Sequence, residues 1–439
     1  MIAARPPGRA LRAAHERLRF GDDVALVTDI DLPELDYLAP ELKGDRFHEV
    51  MAQLAERSWL ATSPIGFFVL DREAAAFFLR TRSATFPGMK IAEMFQVREG
   101  PLLEQMRRNI LHVNGDRHRR LRNLVNPAFT PRAADRWRPA MREYLTRLWE
   151  PLAVEGRCEF VAGFAKPYPS LTIATVMGAP LDDAPRLYEW SNLIQRQFDP
   201  HSLMNDLDAI ERACAEFYEW AGALIERRRH EPADDLISTL IAAGRSSARA
   251  HRALAEQEGD RLSDVECMNL VLNVLVGGVD TTQSQLAHGL RLFARDPEGW
   301  GLLAREPERA PAAVEELLRY EPITPFTARL LHEQVEYRDV VFPEGTVVMV
   351  CSFTANRDGV EGESDDFDIT ADRGVAKPLT FGAGIHYCLG ANLARAELQE
   401  ALAFLAPRMP GLALDGEAEL GSVQGIYGLE RLPVRWNTA

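Results

Sequence analysis

Cysteine is scarce in this sequence, and the few present do not cluster. Cys158, Cys214, Cys267, Cys351 and Cys388 lie far apart with no C-x-x-C pair. Neither a disulfide framework nor a zinc or iron–sulfur site is therefore signalled, and a reducing, cytoplasmic compartment fits. Long apolar runs are missing too: a membrane span needs roughly 18 to 20 such residues, and the best candidate, residues 268–279, is interrupted by Asn269, Asn273 and two glycines. Basic charge is in deficit. Fifty Lys and Arg against 65 Asp and Glu leave a formal charge of −15, which argues against a nucleic-acid partner. No Pro/Gly/Ser-rich linker divides the chain, so one large domain is expected over residues 41–439, after a tail over residues 1–40 whose first half is rich in arginine. A hydrophobic fraction of 46% is ample for its core.

What is present centres on residues 381–397, FGAGIHYCLGANLARAE. Gly382, Gly384 and Gly390 let the backbone beside Cys388 bend sharply and approach a flat ligand closely. The helix formers of 391–397 put Cys388 at a helix N-terminus, where free N–H groups and the helix dipole favour a thiolate. Taken alone, a cysteine among glycines reads equally as a buried thiol beside an ordinary turn. A dinucleotide fingerprint is excluded, because GAGIHY lacks the third glycine and no βαβ unit frames it.

The full spelling F-G-x-G-x-H-x-C-x-G, met by Phe381, Gly382, Gly384, His386, Cys388 and Gly390, resembles the haem-ligand loop of the cytochrome P450 family at every specified position. The resemblance implies a mainly α fold with a smaller β region, haem b (iron protoporphyrin IX) with Cys388 as its axial thiolate, and O2 as co-substrate. It extends over residues 42–436. H-x-x-x-R at His118 and Arg122 matches the family's propionate-binding helix, and Arg329 matches a further propionate arginine, although a surface salt bridge would explain Arg329 as well. Phe381, Gly382, His386 and Gly390 would also border the haem. Asp280 and Thr281 match the family's acid and alcohol beside bound oxygen, and Glu316 and Arg319 its E-x-x-R pair.

Around these motifs the chain reads as helices over 42–57, 72–82, 132–154, 168–177, 183–197 and 207–229, with strand pairs over 59–70. Residues 83–115 read as a long connection whose Met89, Ile91, Met94 and Phe95 would roof the pocket, and 244–260 as a polar surface loop. Ser263 and Glu266 form a capping box at the start of a long central helix. Gly277 and Gly278 inside that helix cost roughly 2 kcal/mol relative to alanine. Close packing against another backbone or room for a ligand could offset them, and Thr281 could bend the helix by bonding back to a carbonyl. Gly278, Phe326 and Thr327, with Ile426 and Tyr427 on a hairpin tip over 425–428, complete the expected substrate pocket.

The function implied is a monomeric haem-thiolate monooxygenase that hydroxylates a small hydrophobic molecule. No membrane anchor of the kind some members carry is read at the start of the chain. Electrons would come from a ferredoxin or flavodoxin docking near Arg119 and Arg120. Oxidative coupling, desaturation or peroxide-driven chemistry is the nearer alternative, and a non-catalytic haem sensor the remoter one.

Overall fold

A computed structural model describes residues 24–250, 262–360, 364–374 and 377–438, with the side chains of 244–250 left out. The expected tail over residues 1–23, and the part of the 244–260 loop beyond 250, lie outside these. Helices dominate, and the strands among the described residues form four small sheets.

The main sheet has five strands in the spatial order Leu60–Ser63, Gly66–Val69, Val347–Cys351, Phe326–Leu331 and Ala84–Thr85. Gly66–Val69 and Val347–Cys351 run parallel, with Phe67 opposite Val348, and the other pairs are antiparallel. Residues 24–40 pack against the sheets: Ala25 and Leu26 extend a second sheet, and Leu35 and Tyr37 are buried. Folded structure therefore begins ahead of the boundary expected at residue 41.

Through the largest hydrophobic cluster runs the central helix, in two segments, Asp264–Gly278 and Asp280–Phe293. Its start is the capping box as read: the Ser263 hydroxyl accepts from the Glu266 N–H, and the Glu266 carboxylate accepts from the Ser263 N–H. The break at Val279 follows the two glycines, and Thr281 donates its hydroxyl to the Gly277 carbonyl at 2.6 Å. The packing expected against another backbone is met at Gly278 by a side chain instead, and Gly277 borders open space. A Cβ on Gly278 would meet Ile173 Cδ1 at 2.4 Å, whereas one on Gly277 would meet nothing within 4 Å.

Two stretches differ from the sequence expectation. Residues 83–115 are not a loop but hold the short helices Gly88–Met94 and Pro101–Arg108. Likewise, Leu236–Ala250 is helical where a loop was expected from 244. Arg, Ser and Ala over residues 245–250 carry no apolar period by which a helix could be told from a loop.

Glu316 and Arg319, on the helix Ala310–Tyr320, form a buried network. Arg319 donates to both carboxylate oxygens at 2.7 and 2.8 Å, Arg373 adds a second guanidinium at 2.8 Å, and the Asp368 N–H donates at 3.0 Å. These donors outweigh burial and hold the Glu316 carboxyl below its ordinary pKa. Truncating one partner strands a charge away from water, at about 3–5 kcal/mol. Arg319→Ala should lose that much stability in urea unfolding, and Arg373→Ala less, since Arg319 is the more deeply buried guanidinium and makes the shorter pair of bonds to the carboxylate.

Candidate functional site

The central helix and the cysteine loop face one another across a cavity of about 1040 Å³, lined largely by apolar side chains. On the loop side, Gly382 and Gly384 sit at φ of +70° and +72°, and a Cβ on Gly384 would press on the Leu79 carbonyl at 2.8 Å. Here glycine is required both by conformation and by space. Cys388 donates its N–H to the Phe381 carbonyl at 2.9 Å and lines the cavity just ahead of the helix Ala391–Leu405. Burial raises the thiol pKa, while the Gly390 and Ala391 N–H groups and the Arg122 and Arg395 guanidiniums pull it back down. The helix start acts as expected, but burial outweighs it.

Gly390, beside Cys388, and Gly277, across the cavity, share a property. A Cβ on either would meet no heavy atom within 4 Å, and both line the cavity. That leaves space for a flat group between a sulfur and a helix backbone.

A cluster of two arginines and two histidines adjoins this space. His118 and Arg122 lie one turn apart on the helix Gly115–Val125, and the His118 ring sits 4.5 Å from that of His386. Arg122 donates to the Tyr387 carbonyl, His386 bonds Asn114 Oδ1 at 2.9 Å, and His118 Nε2 is buried with no partner. Arg329 is 5% exposed and donates to the Ala328 carbonyl, so it forms no surface salt bridge. Burial lowers its pKa to about 10, and burial with the neighbouring His118, Arg329 and Arg122 lowers that of His386 to about 3. Neither Arg122 nor Arg329 has a carboxylate within ion-pair distance among the described residues. Cations buried without anions are costly. A ligand bearing carboxylates beside a flat body fits both the cluster and the open space, as haem with its propionates does.

Most of the expected pocket residues do line the cavity: Ile91, Met94, Phe95, Gly278, Thr281, Phe326, Thr327 and Ile426, with Phe381, Gly382, His386 and Gly390 on the loop side. Others do not. Met89 is 41% exposed and lies off the cavity, because a seven-residue helix carries it on the outer face. Tyr427 is buried behind Ile426, its hydroxyl accepting the Gly44 N–H at 2.7 Å and its ring 4.5 Å from His288, since neighbours in extended chain point opposite ways. Arg120 is tied to Glu266 on the central helix, and exposed Arg119 pairs with Asp116 at 3.0 Å, so the pair is no open basic patch. Asp280 is buried off the cavity lining, bonded to Asn192. Asn273 and Gln285, unassigned from the sequence, do line the cavity, and their four-residue spacing with Gly277 and Thr281 is the signal that marks them.

A family model described as Cytochrome P450 matches residues 39–306 and 309–405. Luteothin monooxygenase of Streptomyces thioluteus is 36% identical over 417 residues, 93% of this chain and 97% of that protein. Mycinamicin IV hydroxylase/epoxidase of Micromonospora griseorubida is 35% identical over 340 residues, covering 76% and 81%. Among solved structures, CalO2 aligns with a TM-score of 0.83 at 28% identity, over 93% of this chain and all of that one. No helix among the described residues is long and apolar enough to cross a membrane.

Burial raises the Asp280 pKa to about 6, against the opposing pull of Asn192, Lys166 and Arg196. In the unfolded chain the group titrates near 4. Between those values the folded state binds more protons, so this group's contribution to stability falls as pH rises through the window. Asp280→Asn should therefore gain stability relative to the parent between pH 4 and pH 7, by about 3 kcal/mol in paired urea titrations.

Proposed function

This chain belongs to the cytochrome P450 family and is a haem-thiolate monooxygenase, and on that premise we propose that Cys388 is the iron ligand and that Thr281 and Asp280 handle protons on the opposite side. When bound, haem with a thiolate behind it supplies reductive activation of O2, one atom going to the substrate and the other to water.

The protein's own part follows from the geometry. Gly390 and Ala391 direct N–H groups at the sulfur and would hold it as a thiolate once a cation faces it. His118, Arg122, Arg329 and His386 would take the haem carboxylates. The observation that carries this reading is that these four side chains gather beside the cavity while Arg122 and Arg329 meet no carboxylate of the described protein.

The Thr281 hydroxyl proton is committed to the Gly277 carbonyl, so Oγ presents lone pairs to the cavity and can accept a hydrogen bond there. Asp280, with a pKa near 6, can exchange a proton near neutral pH. It faces Asn192 rather than the cavity, so it would act as a proton reservoir behind the helix, while Thr281, as an acceptor, would hold the water or oxygen that takes the proton up. The apolar lining suits a small, mostly hydrophobic substrate, and hydroxylation is the reaction we assign. A separate ferredoxin or flavodoxin would supply electrons to a monomer in the cytoplasm.

Cys388→Ala should abolish the red-shifted absorption band of the ferrous–CO form; a retained band would exclude this residue as ligand. Thr281→Ala should keep the band but release more peroxide and less product per O2 consumed. Unchanged coupling would remove Thr281 from the proton path.

A further inference from the structure

Several stretches that line the cavity are tied together at one buried carboxylate that does not line it. Glu321, fully buried, follows the helix Ala310–Tyr320, and the chain that leaves it carries the lining residues Ile323, Thr324, Phe326 and Thr327. Its backbone carbonyl accepts the Gln285 NH2 at 2.9 Å and its carboxylate accepts Arg291 at 3.0 Å, both from the central helix. The third donor is His48, on the helix Gly44–Arg57 that directly follows the lining residues Leu42 and Lys43; its Nε2 lies 3.2 and 3.1 Å from Oε1 and Oε2. Two residues after Glu321, the Ile323 carbonyl accepts the Tyr427 N–H at 2.8 Å, and the Tyr427 hydroxyl accepts the Gly44 N–H at 2.7 Å. Ile426, beside Tyr427, lines the cavity. The segment after Glu321, the hairpin tip, the start of the helix Gly44–Arg57 and the central helix are thus fixed relative to one another by bonds made behind the lining.

The two side chains on the carboxylate are not equivalent. Arg291 is buried, whereas the His48 side chain is 22% exposed. Among the described residues Oε1 meets only the His48 ring, while Oε2 is shared with Arg291. Neither His288, packed on Tyr427 at 4.5 Å, nor Arg357, which donates to the Phe353 and Tyr320 carbonyls, bonds the carboxylate in its place. Removing Arg291 would strand a buried charge and threaten the fold, but removing His48 leaves the ion pair and bares one oxygen. We propose that His48, outside the lining, is a positioning residue for the substrate: through Glu321 it fixes where Ile323, Phe326 and Ile426 stand, and so decides which bulky molecules the pocket accepts. The proposal rests on the monooxygenase reading above and adds to it a specificity determinant behind the pocket wall.

Spectral titration of the haem-loaded full chain with imidazole and clotrimazole tests it. Both bind haem iron through a ring nitrogen, but imidazole is too small to press on the wall, whereas clotrimazole carries bulky aryl groups into the pocket. His48→Ala should weaken clotrimazole by about fivefold and leave imidazole within roughly twofold of the parent. His48→Gln keeps a donor for Glu321 and should bring clotrimazole back to within roughly twofold. Asp45→Ala breaks the exposed pair of Asp45 with Arg295, 3.2 Å apart, which joins the same helix to the end of the central one, and should change neither azole. Should the parent refuse clotrimazole, His48→Ala must admit it for the proposal to stand. Equal weakening of both azoles, no change in either, no rescue by His48→Gln, or the same split in Asp45→Ala would overturn it and leave His48 as a stabilising contact alone. The ferrous–CO band, recorded on every sample, keeps the two readings apart. If it is absent from the parent protein, the monooxygenase reading itself fails; if it is present while the azole split fails, only the positioning role of His48 does.

Discussion

A protein interior is close-packed, so a cavity of about 1040 Å³ lined by apolar side chains tends to collapse unless its walls are held apart. The wall on the cysteine side is braced by one carboxylate. Glu316 takes Arg319, Arg373 and the Asp368 N–H, and so ties the helix Ala310–Tyr320 to the chain over residues 364–374. The opposite wall is a helix that is broken instead of braced. Thr281 spends its proton on the Gly277 carbonyl where the helix kinks, and a glycine stands where a side chain would narrow the gap. Rigidity on one side and missing side chains on the other keep the two backbones apart.

Local chemistry was legible in the sequence. The capping box at Ser263, the back-bond of Thr281 and the glycine-dependent bends at 382 and 384 each depend on a few consecutive residues, and each stands as read. The cysteine loop was legible because its spelling is long. Facing direction was less so. Ile426 and Tyr427 are neighbours in an extended tip, and only the packing of Tyr427 against His288 and Gly44 settles which of them enters the cavity. Residues 83–115 hid two helices of seven and eight residues, too short to show a full apolar period. Asp280 and Thr281 are adjacent in sequence, yet on a helix they point about 100° apart, which puts only Thr281 among the lining residues.

Two buried charge clusters contrast in completeness. Glu321, fully buried, is answered within the protein by Arg291 at 3.0 Å and His48 at 3.1 Å, and its carboxyl pKa falls to about 2 despite burial. The cluster of His118, Arg122, Arg329 and His386 has no such internal answer, and burial pushes the Arg329 pKa down to about 10. The first is finished by the chain. The second waits for something the chain does not encode.

That difference reaches beyond catalysis. If the haem carboxylates neutralise buried Arg329 as proposed, the chain would gain part of its folding free energy from the concentration of that group. Newly made chains would then compete for porphyrin as they mature, and those that go without would persist as the less stable form, more open to proteolysis. Cellular levels of this oxygenase would accordingly follow the supply of iron and tetrapyrrole as well as the rate of its own synthesis.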